Sequence, residues 1–196
     1  MNTKVIIFCF ISSLFFSFES LAAKEQVKPL PIIQDIFTKA KSQNFRKNKK
    51  LQNQVSYYFD YEKMGLDILD QFAIKRNKKD VSWFQNIIKD IITKTVYPEA
   101  QDFLSKVKIS HEISEQSKNS IQVLTLITKR GEETEVLSFF KKLKGKWRIV
   151  NISIDDESWV ENIQTQVHKT IKEKGWTGLK KSLSKRLKEL LQESKG

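Results

Sequence analysis

Residues Gly145–Leu187 read GKWRIVNISIDDESWVENIQTQVHKTIKEKGWTGLKKSLSKRL and hold three of the four tryptophans of the chain. Trp147–Ile154 is rich in β-branched and apolar residues and reads as a strand. Asp155, Asp156 and Glu157 form an acidic corner, where negative charge suits the start of a helix. Ser158-x-x-Glu161 is a capping box that opens it. Val160, Ile163, Val167 and Ile171 make its apolar stripe, Lys172 and Lys174 close its last turn, and Gly175 stops it. Thr177 is placed to cap a final helix with Leu179, Leu183, Leu187 and Leu190 on one side and lysines over the rest. A sheet therefore ends here and a helical layer begins.

Upstream, the pattern has period two. Lys106–Ile113 alternates, Ile121–Thr128 is long and β-branched, Gly131 marks a turn, and Thr134–Leu143 returns to the Lys144-Gly145-Lys146 turn. Four strands joined by short turns make an antiparallel meander. Both faces are apolar: Leu124, Leu126, Leu137 and Phe139 on one, Val123, Val136, Phe140 and Trp147 on the other. Ahead of the sheet the period is helical. Ile32–Ala40 carries one stripe, and Lys41–Lys50 reads as a solvated basic segment. Val55–Phe72 reads as one helical block, with Asp60 or Asp67 as its cap. Ser82-x-x-Gln85 opens a long helix to about Leu104 that Pro98 should bend. The expected fold is α+β: a curved four-stranded antiparallel sheet covered by helices, an NTF2-like cone with N-terminal and C-terminal helical blocks. Helices occupy about 30–104, the sheet about 106–154 and helices about 158–192.

The N-terminus reads as a signal peptide over residues 1–22. Lys4 precedes the apolar run Val5–Phe18, and Ser20 and Ala22 stand at the −3 and −1 positions, which places cleavage after Ala22. The run is shorter than the roughly 20 residues a membrane span needs. Residues 23–196 then form a single domain, large enough for a sizeable core. Cys9 is the only cysteine, so the processed chain has no disulfide and no thiol chemistry. Lys4 and Glu19 cancel, which leaves the processed chain the full net charge of +12. Such a charge suits an acidic partner, whether anionic lipid, acidic protein or nucleic acid.

Catalytic signals are sparse. The chain has two histidines and no Gly-rich phosphate loop. His111 is in phase with the apolar face of its strand and reads as a core or rim residue; His168 reads as surface. No serine sits in a nucleophile elbow. No enzyme, cofactor or metal is expected. A sheet apolar on both faces is compatible with helices on both sides, or with an incompletely filled interior that leaves a ligand cavity.

Four segments resemble the MlaC family of phospholipid-binding proteins, also called the toluene-tolerance auxiliary family. Tyr58-Phe59-Asp60-Tyr61-Glu62-Lys63-Met64-Gly65-Leu66 is similar to the family's aromatic–acid–methionine segment. Trp83–Leu104 occupies the place of its long helix, with Tyr97 at the tyrosine. Gly145–Ile152 is similar to the GxWxVYDV strand, and Lys174–Leu179 to the turn into the last helix. Val150 and Asn151 replace a tyrosine and an aspartate, and Asp155-Asp156-Glu157-Ser158 replaces the EGVS corner.

The resemblance implies a periplasmic phospholipid carrier and no nucleic-acid partner. It would exchange lipid between an outer-membrane lipoprotein complex and an inner-membrane ABC transporter with a substrate-binding hexamer, maintaining outer-membrane lipid asymmetry. Burial of each methylene is worth about 0.8 kcal/mol, so a two-tailed lipid needs an apolar cavity of up to roughly 1,000 Å³. On faces expected to meet, the candidate lipid contacts are Phe59, Met64, Ile68, Phe84, Ile88, Ile91, Phe103, Leu124, Leu126, Leu137, Phe139, Ile149, Ile152, Trp159 and Ile163. Two other classes remain open at this stage. One is a basic exported module that docks on an acidic surface without a ligand. The other is a small enzyme with a polar cluster near His111.

Overall fold

The computed structural model describes residues 29–193; the signal peptide expected over residues 1–22 lies outside them. Pro29 and Pro31 fall in the first turn of α1 (Pro29–Ala40), where no intrahelical N–H is required of them. Ile33, Ile36 and Ala40 form its buried stripe. The basic segment that follows is a run of turns rather than a solvated face throughout, because Phe45 within it is 1% exposed. Gln52 fixes this loop by donating through Nε2 to the Phe45 and Arg46 carbonyls, both at 2.9 Å. Gln52 belongs to α2 (Lys49–Ser56), which Asn48 caps.

The helical block expected over Val55–Phe72 is split. Asp60 N–H donates to the Ile149 carbonyl at 2.9 Å, and Ile149 N–H donates to the Tyr58 carbonyl at 2.8 Å. These bonds draw the chain out of helix into a one-residue parallel bridge at Phe59. Asp60 then caps α3 (Tyr61–Leu69) by accepting from Lys63 N–H at 2.8 Å. The one-turn α4 (Gln71–Ile74) follows.

The long helix α5 (Lys78–Phe103) begins before the expected Ser82 because Asn77 is the cap, accepting from Asp80 N–H at 2.9 Å. Gln85 is thereby free of a capping role and donates to the Glu62 carbonyl at 2.9 Å, tying α5 to α3. Pro98 lies inside α5. Arg46 braces that half of the helix, donating to the Pro98 carbonyl at 2.8 Å and to Asp102 at 2.7 Å.

The sheet has five strands, not four: β1 (Lys108–Gln116), β2 (Ser120–Lys129), β3 (Glu132–Leu143), β4 (Lys146–Ile154) and β5 (Glu157–Ser158), antiparallel and in sequence order. The additional strand arises at the acidic corner. Asp155 and Asp156 both have positive φ, 45° and 66°, the backbone of a two-residue hairpin turn. They turn the chain back on β4 before the helix starts. The Asp155 carboxylate is occupied by its turn, accepting from Glu135 N–H at 2.9 Å. Arg130-Gly131 and Lys144-Gly145 make equivalent turns.

Helix α6 (Trp159–Glu193) starts on a double cap: Ser158 Oγ accepts from Glu161 N–H at 3.3 Å and Asn151 Oδ1 from Val160 N–H at 3.2 Å. Asn151 Nδ2 also donates to Ser158 Oγ at 2.9 Å, which fixes both caps together. The helix breaks at Gly175, with φ 67°, and re-enters helical geometry directly.

One face of the sheet carries Ile121, Val123, Thr125 and Ile127 from β2 and Val136, Ser138 and Phe140 from β3, all buried. A bulge in β4, where Phe139 pairs with Asn151 and Phe140 with Ile149, turns both Ile149 and Ile152 onto that face, although they are an odd number of residues apart. Leu124, Leu126, Leu137 and Phe139 occupy the other face, half-buried. Helix α1 packs on β1 and β2, α3 packs on α5, and α6 lies across α3 and α5.

Gly65 marks the closest approach of α3 to α5: a Cβ there would stand 2.7 Å from Gln85 Cγ and 3.2 Å from Gln85 Cα. Gly65→Ala is expected to destabilise the fold by about 1–3 kcal/mol, by overpacking at a backbone contact that cannot yield, as read by urea unfolding.

Candidate functional site

Helix α1, the C-terminal half of α5 and the inner sheet face touch at their margins but do not close on one another throughout. Between them lies a cavity of about 560 Å³. Its walls are Ile33, Ile36, Phe37 and Ala40 of α1, Phe45 of the following loop, Val55 of α2, and Val96, Ala100 and Phe103 of α5. The sheet adds Ile127, Val136, Ser138, Ile149, Ile152 and Ile154, and Phe59 and Trp159 close the remaining sides. Charge enters only at Glu99 and Asp155, both exposed, beside Thr95 and Thr134. The mouth is therefore at the end of the sheet where β3 begins and β4 ends.

The phenol of Tyr97 in the wall is satisfied by groups behind it. Ser56 Oγ and the Tyr97 hydroxyl lie 2.8 Å apart, and the Tyr61 hydroxyl is 3.4 Å from that of Tyr97. Burial pushes both phenols upward, and of the two Tyr97 lines the cavity. Helix α1 is held as a wall by Asp35, which forms an ion pair with Lys39 and accepts from the Tyr58 hydroxyl at 2.8 Å. Burial and the bond to Asp35 push the Tyr58 phenol up to about 12. Burial of Asp35 opposes ionisation, but Lys39 and Tyr58 together outweigh it and hold its carboxyl below the usual range.

Of the residues singled out from the sequence, Phe59, Phe103, Ile149, Ile152 and Trp159 line the cavity. Met64, Ile68, Phe84 and Ile88 are buried in the packed core beside it, while Ile91 and Ile163 are half-buried outside its walls. Leu124, Leu126, Leu137 and Phe139 stand on the opposite sheet face. The helix after the sheet contributes only Trp159, since its stripe Val167, Ile171 and Leu179 is buried in the core away from the cavity. The α1 stripe and Phe45 were missed as wall residues. The stripe itself is plain in the sequence, but nothing local states which layer it meets.

Both histidines are structural. His111 lies on the inner face, 2.9 Å from buried Thr125 Oγ1 and against Phe37, 5.2 Å between ring centroids. His168 is not a surface residue: its Nε2 donates to the Ile68 carbonyl at 3.0 Å, satisfying the end of α3. Among the described residues no group of three or more His, Cys, Asp or Glu is arranged to hold a metal ion, and no helix is long and apolar enough to cross a membrane.

Comparison with known proteins places this architecture. A solved structure of a phospholipid-binding protein from Ralstonia solanacearum, in complex with a phospholipid, superposes with a TM-score of 0.72 at 15% identity, covering 83% of this chain and 96% of that one. The two chains thus share one α+β fold. Residues 30–185 match the MlaC protein family, and the chain belongs to that family. No curated protein sequence matches it.

Burial holds the His111 imidazole below its ordinary value, so between the folded and unfolded values the unfolded chain binds more protons. Stability is therefore expected to fall as pH drops from about 7 to below 6. Denaturant unfolding at both ends of this window, on the wild type and on His111→Gln, should show the slope reduced in the variant.

Proposed function

We propose that this chain is a phospholipid carrier that takes acyl chains into the cavity and leaves the headgroup at the mouth. The observation that carries the reading is a pocket walled chiefly by aliphatic and aromatic carbon, with its two carboxylates at the exposed rim. Its volume, about 560 Å³, is below the upper bound expected for a two-tailed lipid but within the range of ligand pockets. An acyl segment of about a dozen methylenes gains roughly 10 kcal/mol by leaving water, enough to hold a lipid that water would reject. The glycerol and headgroup contribute less, so selectivity among headgroups is weak.

The family membership and the lipid-bound neighbour support this reading over a ligand-free basic module or an enzyme. On the same reading, residues 1–22 are removed on export and 23–196 work as one periplasmic domain. The carrier passes lipid between an outer-membrane lipoprotein complex and an inner-membrane ABC transporter with its substrate-binding hexamer, sustaining outer-membrane asymmetry.

Native mass spectrometry of protein purified without detergent should show a mass increment matching phospholipid, extractable by solvent. Ser138→Phe, which sets a ring into the cavity from a 1% exposed position of β3, should keep the fold and lose most of that increment. Bare polypeptide mass in the wild type contradicts the proposal.

A further inference from the structure

The end of the sheet opposite the cavity mouth is built from cations. The β3–β4 hairpin runs KKLKGKWR from Lys141 to Arg148, five cations with no acid among them. The β1–β2 turn lies beside it, since Lys142 N–H donates to the Asn119 carbonyl at 3.0 Å, and this brings Lys118 to the same tip. Lys118, Lys141, Lys144 and Lys146 are exposed.

An aromatic ring sits among these charges. Tyr57 is 55% exposed, with the Arg148 guanidinium 3.9 Å from its ring centroid and Lys146 Nζ 3.4 Å from its hydroxyl. Among the described residues, three acids near the tip have other engagements or stand off from it. Glu115 on β1 accepts from Gln122, Asp60 caps α3, and Glu62 lies across the shallow groove beside Arg148. On the C-terminal arm of α6, by contrast, three of the cations have carboxylate partners. Lys180 bonds Asp80, Lys185 meets Glu189 at 3.8 Å, and Arg186 meets Glu189 and Glu193, each at 3.8 Å.

We infer that this hairpin tip is a docking surface for a bilayer rich in anionic phospholipid headgroups. An exposed phenol ringed by flexible cations is the combination that settles at a membrane interface. The ring sits at headgroup depth, and each lysine finds a phosphate without needing a fixed partner. The hairpin closes on the two-residue turn Lys144-Gly145, and its lysines stand on flexible stems that need no fixed partner geometry. Strand β3 spans roughly 40 Å between tip and mouth, so docking leaves the cavity entrance uncovered. The proposal does not depend on what the cavity holds.

Flotation with vesicles of phosphatidylcholine, with and without a one-third share of phosphatidylglycerol, tests it at low and high salt. The wild type should float with the anionic vesicles at low salt and not with the neutral ones. The variant Lys118→Glu/Lys144→Glu/Lys146→Glu should lose at least ten-fold in apparent affinity, and the corresponding glutamine variant a smaller amount. Lys181→Glu/Lys185→Glu/Lys188→Glu makes the same change in net charge on α6 and should stay within a factor of about two of wild type. Circular dichroism checks that each variant is folded. Absence of wild-type flotation, an unaffected hairpin variant, or equal losses in the hairpin and α6 variants overturns the proposal.

Discussion

Two main-chain hydrogen bonds set the distance between the helices and the sheet. Asp60 and Tyr58 bond to opposite sides of Ile149, so the chain between α2 and α3 is laid along β4 like a short additional strand. A backbone ladder holds its members about 4.8 Å apart and cannot be compressed. Everything nearby takes its position from this seam. Phe59 is directed to the cavity, Asp60 starts α3, and the Tyr58 hydroxyl reaches Asp35 to hold α1. Main-chain bonds at the seam satisfy the polar groups that a break in helix exposes.

The cavity follows from how these supports are distributed. Helix α3 is pressed against α5 through Gly65 and against α6 through His168 and Gln164, and that side of the molecule is filled. Helix α1 is anchored at Asp35, and the far half of α5 is braced at Pro98 and Asp102 by Arg46. Both carry polar contacts at their margins, and α1 packs on β1 and β2 beside the cavity. The small Ser138 on the inner sheet face leaves room in the cavity wall. An apolar void of this size lacks the dispersion contacts of a close-packed core. Occupation by a hydrocarbon chain restores them.

Much of this was legible in the chain. The meander, its glycine turns, the long helix to Phe103 and the break at Gly175 follow from periodicity and punctuation. Three features did not, each for a physical reason. The split at Tyr58–Asp60 depends on a partner ninety residues away, so helical spacing of Phe59, Met64 and Ile68 pointed to one continuous helix. The Asp155-Asp156 corner resembles a helix N-terminus in charge, and only its positive φ values make it a hairpin. The choice of inner face was hidden because both sheet faces are apolar: Leu124, Leu126, Leu137 and Phe139 are the larger set, yet the smaller Val123, Thr125, Val136 and Ser138 face inward. Of the candidate contacts, Phe59, Phe103, Ile149, Ile152 and Trp159 fall on the cavity wall, while the wall residues of α1, Phe45, and Val96, Ala100, Ile127 and Val136 were not among the candidates. A stripe tells that a helix is buried, not what it is buried against.

The central claim is that a hydrocarbon chain occupies the space between α1, α5 and the inner sheet face. A crystal structure of the protein purified from cells without detergent tests this most directly. The account predicts continuous elongated density running from the mouth at Glu99 and Asp155 toward Phe59 and Ile149. A cavity closed by collapsed side chains, or one holding only ordered water, would contradict it.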